Sequence, residues 1–515
     1  MMTPVPSGVP RARRLGWLGL LAVGVVASRL AGDSSPSSPG PSGSRVADEG
    51  RRGGIRMPTP AFRTEVPSHP VDLILGRPSP HGVTVSVLSY ADSEGFIAYW
   101  VRSGDSPRET PHVELPAGQP VEISIGPLPE NTPCHYQLRS RSRGVGPFLP
   151  GPEYGFRTAR PRGESFIFTL QADSHLDYGT DLEVYRASLA NVAASSPDFH
   201  MDLGDTFMTD KYTDHTQALP QYIAQRYWLG LVGARTPLFL VLGNHDGEQP
   251  GRGASGAGSM PVWANTMRKR YFPNPVPDPF YSGNARPDPH AGLLQDYYAF
   301  EWGEALFVVL DPFWYSARPR GGAGGASFDN WGRTLGEDQY RWLGHTLAAS
   351  SARFKFIFVH HLVGGESREG RGGVEASRYF EWGGANGDGS NGFSEHRPGW
   401  AEPIHQLLVR HHVSAVFHGH DHFYARQERD GVVYQLVPQP GHARVDNLPR
   451  TADYGYLSGT FEGASGILRV SVTPSVCTVD YVRAYPAAPV RGDRANGTVT
   501  QRYQIAPPRT RDSPP

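Results

Sequence analysis

Cysteine is almost absent: Cys134 and Cys477 are the only two in 515 residues. One possible pair cannot act as a disulfide framework for a chain of this length, so its core has to come from apolar burial. A bridge formed after export and two buried free thiols both fit that spacing. An excess of charge of one sign is also missing. Lys and Arg number 49 against 50 Asp and Glu, a formal net charge of −1, which leaves no electrostatic footprint for nucleic acid. Long hydrophobic runs are lacking too. The N-terminal run GWLGLLAVGVVA (16–27) is shorter than the roughly 20 residues that a membrane-spanning helix needs.

That run follows the basic RARR (11–14) and reads as the h-region of a signal peptide over 1–32. A Ser/Pro/Gly tract, 33–62, reads as disordered linker. A secreted or periplasmic protein is expected, with no membrane anchor after cleavage. No cysteine lies near the cleavage region, which excludes a lipoprotein anchor. General secretion and, through Arg13 and Arg14, twin-arginine export both stay open.

Apolar β-like runs at 166–170, 199–203, 238–242, 305–310, 354–359 and 414–417 alternate with helix-compatible stretches at 181–195, 337–350 and 401–413. Such alternation predicts an α/β domain, set here at 161–485 and followed by a C-terminal strand and tail, 486–515. Residues 63–160 differ, with short runs such as VDLILG, GVTVSVLS and FIAYWVR between Gly, Pro, Asn and Asp. They predict an all-β sandwich.

Function is written in five short segments, each ending an apolar run: QADSH (171–175), LGD (203–205), GNHD (243–246), VHH (359–361) and GHDH (419–422). They offer Asp173, His175, Asp205, Asn244, His360, His420 and His422, a set of hard and borderline donors too large for one ion and suited to two sharing a carboxylate. Two ions about 3.5–4 Å apart suit phosphoryl transfer, which needs charge neutralised, a water deprotonated and a leaving oxygen stabilised. Any one of these motifs alone is weak, because an Asp or His at a strand end is commonly a loop or capping residue. Five in order are a strong signal.

In these motifs the chain resembles the calcineurin-like metallophosphoesterases, and within them the purple acid phosphatase-like branch, over about residues 63–485. The resemblance implies a layered α-β-β-α metallophosphoesterase sandwich preceded by a fibronectin type III-like domain. IGPLPENTPCHYQLRSR (125–141) is similar to the tyrosine-corner region of such domains. It further implies one metal held by Asp173, His175, Asp205 and His422 and a second by Asp205, Asn244, His360 and His420. His245 would contact phosphate and protonate the leaving group, with Asp246 orienting its ring. The ligand in VHH is assigned to His360, with His361 the alternative. His361 and His418 otherwise read as packing or hydrogen-bonding neighbours.

Two positions depart from that branch. Met208 stands where purple acid phosphatases carry a ligand tyrosine, and His175 where they usually have Gly. Without a tyrosinate there is no charge-transfer colour, and the expected pair is two divalent or mixed-valence ions of Fe, Zn or Mn, among which donor type does not choose. The expected activity is acid-phosphatase-like hydrolysis of small phosphate monoesters by a metal-bridging hydroxide. A phosphodiesterase or nucleotide hydrolase, and a surface-binding protein with a vestigial metal site, are the alternatives. Insertions after GNHD and after His361 sit where specificity is set. Within or near them Lys211, Tyr212, Arg371 and Arg378 are candidate phosphate contacts, each also readable as a solvated loop residue.

Overall fold

A computed structural model describes residues 62–250, 256–316, 330–365, 370–486 and 494–508. The expected signal peptide and, apart from residue 62, the linker lie outside the described residues. Each of the six β-like runs forms a strand: Phe166–Gln171, Phe199–Asp202, Leu238–Leu240, Ala305–Val309, Phe354–Phe358 and Ala415–His418. The first three are mutually parallel in one sheet. The last three, with Val432–Leu436, are parallel in a second. These runs are apolar on both faces, as strands covered on both sides must be.

One face of each sheet meets the other through an aromatic core that includes Phe168, Phe199, Phe307, Phe356, Phe358 and Phe417. Burying each such ring is worth about 1.5–3 kcal/mol. The outer face of the first sheet packs on helices Leu182–Ser195 and His215–Gly233. That of the second packs on Glu337–Ala349 and Ile404–Arg410. The expected α-β-β-α layering is therefore present. Asp181 caps the first helix, its carboxylate accepting from Glu183 N (2.8 Å) and Val184 N (3.2 Å). The third expected helix begins later than anticipated, at Ile404, because Pro403 favours the first turn and not the residues ahead of it.

Residues 71–157 form the expected all-β region, and one of its layers runs on into the first α/β sheet. Strand Val71–Ser79 lies parallel to Leu238–Leu240, with Gly76 opposite Leu238. Gly82–Ser89 pairs antiparallel with it, and Val121–Ile125 pairs antiparallel with Gly82–Ser89 to complete that edge. At the opposite edge, Gly466–Val472, Cys477–Arg483 and Val499–Ile505 extend the sheet from Phe166–Gln171, giving nine strands. Tyr136 does not close a corner within its own region. Its hydroxyl donates to Ala234 O at 2.7 Å, at the end of helix His215–Gly233. Cys134 and Cys477 are buried free thiols in separate cores. Among the described residues no helix is long and apolar enough to cross a membrane.

Candidate metal centre

All five motifs leave the carboxyl ends of parallel strands, where loops of an open α/β sheet build binding sites. Glycine lets these loops crowd together. A Cβ on Gly243 would lie 2.0 Å from Asp205 N, and one on Gly204 2.3 Å from Gly243 N. The LGD and GNHD loops therefore pack backbone to backbone. Asp173, His175, Asp205, His420 and His422 all have left-handed backbones, with φ of 61°, 49°, 55°, 81° and 68°. Each such non-glycine residue costs about 1–2 kcal/mol, and strain of this kind clusters at functional sites.

Donor atoms gather into two groups, Asp173, His175 and His422 in one and Asp205, His360 and His420 in the other, with the atoms of each within 4.8 Å of one another. Asp205 joins the two. Its Oδ1 accepts from His245 N at 2.7 Å, and its Oδ2 lies 3.2 Å from His360 Nε2 and 3.8 Å from His175 Nε2. One oxygen is thus held by the backbone while the other faces both groups, as a bridging carboxylate requires. Nδ1 of His360 is 2.8 Å from Leu203 O, which fixes the tautomer and leaves Nε2 for a metal. His361 Nδ1 instead meets Leu362 O at 3.0 Å. His360 is therefore the ring turned into the centre, and His361 packs against Phe313.

The donors fit cations. Asp173 Oδ1, His175 Nε2, Asn244 Oδ1 and His360 Nε2 are all buried with no hydrogen-bond partner, although buried polar atoms are nearly always paired. Every one is an expected ligand atom, and an ion among them would satisfy all four. Oxygen and imidazole donors without thiolate suit Zn, Mn, Fe or Co. Burial alone would raise the Asp173 and Asp205 carboxyls. Neighbouring imidazoles, His422 and His175 for Asp173 and His360 and His245 for Asp205, more than reverse this and hold both well below the usual range.

His245 borders the first group, its ring 6.4 Å from that of His175. Its partner differs from expectation. Both Asp210 oxygens lie 3.0 Å from His245 Nδ1, and Asp210 N donates to His245 O. Asp246 does not orient the ring. Its carboxylate accepts from Asp205 N (3.1 Å), Thr206 N (2.8 Å), Phe207 N (2.8 Å) and Gly243 N (2.7 Å). A side chain adjacent in sequence to His245 is turned into the loops, whereas Asp210 reaches the ring from the turn Thr209–Lys211. Sequence reading missed Asp210, because no motif spacing marks it.

Of the candidate phosphate contacts, Lys211 Nζ lies 3.7 Å from Asp210 Oδ2. Tyr212 OH accepts from Gln221 at 3.1 Å, Arg371 pairs with Asp421 at 2.7 Å, and Arg378 lies over the Tyr379 ring. His418 is buried with Nε2 unpartnered, and burial pushes its pKa down to about 3. Met208 is buried and caps the turn that carries Asp210.

Residues 168–424 match the model of the calcineurin-like phosphoesterase family. No curated protein matches the chain. Among solved structures, PhoD is similar with a TM-score of 0.60 at 14% identity, covering 85% of this chain and 90% of its own. Purple acid phosphatase PPD1 from yellow lupin (Lupinus luteus) seeds gives 0.55 at 15% identity, covering 84% and 74%. At these identities the likeness is one of fold. The family match spans all five motifs and both donor groups, so the chain belongs to the calcineurin-like phosphoesterases and is a metal-dependent phosphoric ester hydrolase.

Proposed function

We propose that the chain is a secreted phosphatase of small phosphate monoesters, with one metal on Asp173, His175, Asp205 and His422 and a second on Asp205, Asn244, His360 and His420. The observation that carries this reading is the set of four unpartnered donor atoms beside the His245 and Asp210 pair. Two bound cations would neutralise the phosphate oxygens and make a water acidic enough to attack at neutral pH. Asp205 sets the spacing of the two groups. Asp210 holds the His245 proton at Nδ1 when the ring is neutral, and keeps the ring oriented when it is cationic. His245 then has Nε2 available to donate a proton to the departing alcohol oxygen. Asp246, by gathering four amides, holds the LGD and GNHD loops at their mutual distance.

The monoester reading is supported by the fold shared with a purple acid phosphatase, and export by the N-terminal apolar run. The test is turnover of p-nitrophenyl phosphate against bis-p-nitrophenyl phosphate by protein carrying its natural metals. Monoester preference is expected. Diester preference would make the chain a phosphodiesterase, and no turnover of either with metals bound would favour the surface-binding alternative.

A further inference from the structure

Asp421 stands between the ligand histidines His420 and His422, yet it belongs to neither donor group. Its side chain is 2% exposed. The carboxylate accepts from Arg371 Nη1 at 2.7 Å, Tyr456 OH at 2.7 Å and Gly372 N at 3.3 Å. The Arg371 guanidinium in turn lies over the Tyr454 ring, 4.4 Å from its centroid.

The loop these contacts hold is strained. Strand Ala415–His418 ends before it and Tyr424–Arg429 begins after it. His420 and His422 both have left-handed backbones, which persist only where the surroundings over-determine them. On its entering side the loop is fixed by Gly419 N on His360 O and His420 N on Asp173 Oδ2, both at 2.9 Å. Between the two histidines the anchor is Asp421. The stretch that supplies Arg371 is itself braced. Glu375 accepts from Leu457 N (3.0 Å) and Ser458 N (2.9 Å), and Gln427 bonds both Glu375 and Val374 N.

We propose that Arg371 and Asp421 are a positioning pair, through which the second insertion fixes the 419–423 loop so that His420 is presented to one donor group and His422 to the other. The inference rests on His420 and His422 being metal ligands. Arg371 also balances the Asp421 charge, so the carboxylate adds no net negative charge beside the centre. This makes Arg371 a determinant of metal affinity, distinct from a phosphate contact.

Zinc affinity of the full chain, measured by competition with a chromophoric chelator, tests it together with KM for p-nitrophenyl phosphate. Arg371→Met should weaken zinc binding about 10–100-fold, the usual effect of losing a group that orients ligands. Arg371→Lys should recover part of the loss. The double variant with Asp421→Asn should be less impaired than Arg371→Met alone, because no buried carboxylate is then left unpaired. Wild-type zinc affinity in Arg371→Met overturns the proposal, and a raised KM beside it would make Arg371 a substrate contact. Should Arg371→Met fail to fold, the isosteric Asp421→Asn decides, with about tenfold weaker zinc expected and unchanged affinity overturning the pair. Failure of the wild-type chain to bind zinc, manganese or iron would instead refute the ligand assignment.

Discussion

Protons and metal ions compete for the same imidazoles. Burial disfavours the charged form of His175 and His360, but the carboxylates beside them outweigh it, lifting His175 to about 10 and His360 to about 9 from 6.5. In metal-free protein both rings are cationic at neutral pH and stand in for the ions. A pKa raised by folding contributes stability that is complete below the unfolded value of 6.5 and is lost as pH climbs through 9 to 10. Asp173 and Asp205 are the reverse case. Held below the usual range, they contribute above the unfolded carboxylate value and lose that contribution on acidification. Metal-free protein should thus lose the His175 and His360 contribution between pH 6.5 and 10 and melt at falling temperature across that range, whereas metal-loaded protein should not show this alkaline decline. Melting curves with and without chelator check this; a flat metal-free profile would contradict the proton-for-metal exchange. At this scale the residues of the two donor groups were readable from sequence, since they follow strand ends and are of donor type. Asp210 was not, because its distance to His245 is set by the path of a turn.

Among the elements, helix Met260–Tyr271 lies inside what the sequence shows only as a long Gly- and Pro-rich insertion. It holds the GNHD loop through a buried ion pair. Arg268 Nε and Nη2 donate to Glu248 at 2.5 and 2.9 Å, and both side chains are 1% exposed. Asn265 adds a third bond to Glu248 at 2.8 Å. Arg268→Met would leave Glu248 buried and uncompensated, at a cost of about 3–5 kcal/mol. Chemical denaturation should show that loss, and a smaller one when Glu248→Gln is added. Equal losses would mean that the pair contributes through packing alone. Met260, Trp263, Ala264, Met267 and Tyr271 recur at helical spacing after the Ser259 and Pro261 start signals, but the Gly- and Pro-rich flanks and the basic last turn, Arg268 to Arg270, mask the helix in the sequence.

For the molecule as a whole, the N-terminal β region is fastened to the α/β body at three kinds of contact. Strand Val71–Ser79 joins the first sheet, the buried Arg226 donates to Ser86 O at 2.8 Å, and Tyr136 reaches Ala234 O. Calorimetry should therefore give one cooperative transition for the described body. Tyr136→Phe, which leaves a buried carbonyl unsatisfied, should destabilise the whole transition by about 1–3 kcal/mol. Two separable transitions, with the α/β part unaffected by the substitution, would show that the β region folds alone.

The chemistry and the class of fold follow from local residue pattern. Apolar runs of strand length alternating with helices dictate α/β layering, and donor residues at the ends of those runs dictate where a metal centre forms, because both depend on local residue type and period. Which neighbours those residues find is set by the folded chain. Asp246 turns into the loops and Asp210 to His245, Tyr136 bonds to a helix end 98 residues away, and Arg371 of the second insertion meets Asp421 in the GHDH loop. Such partnerships depend on loop paths and on the packing of elements distant in sequence, which no local pattern encodes.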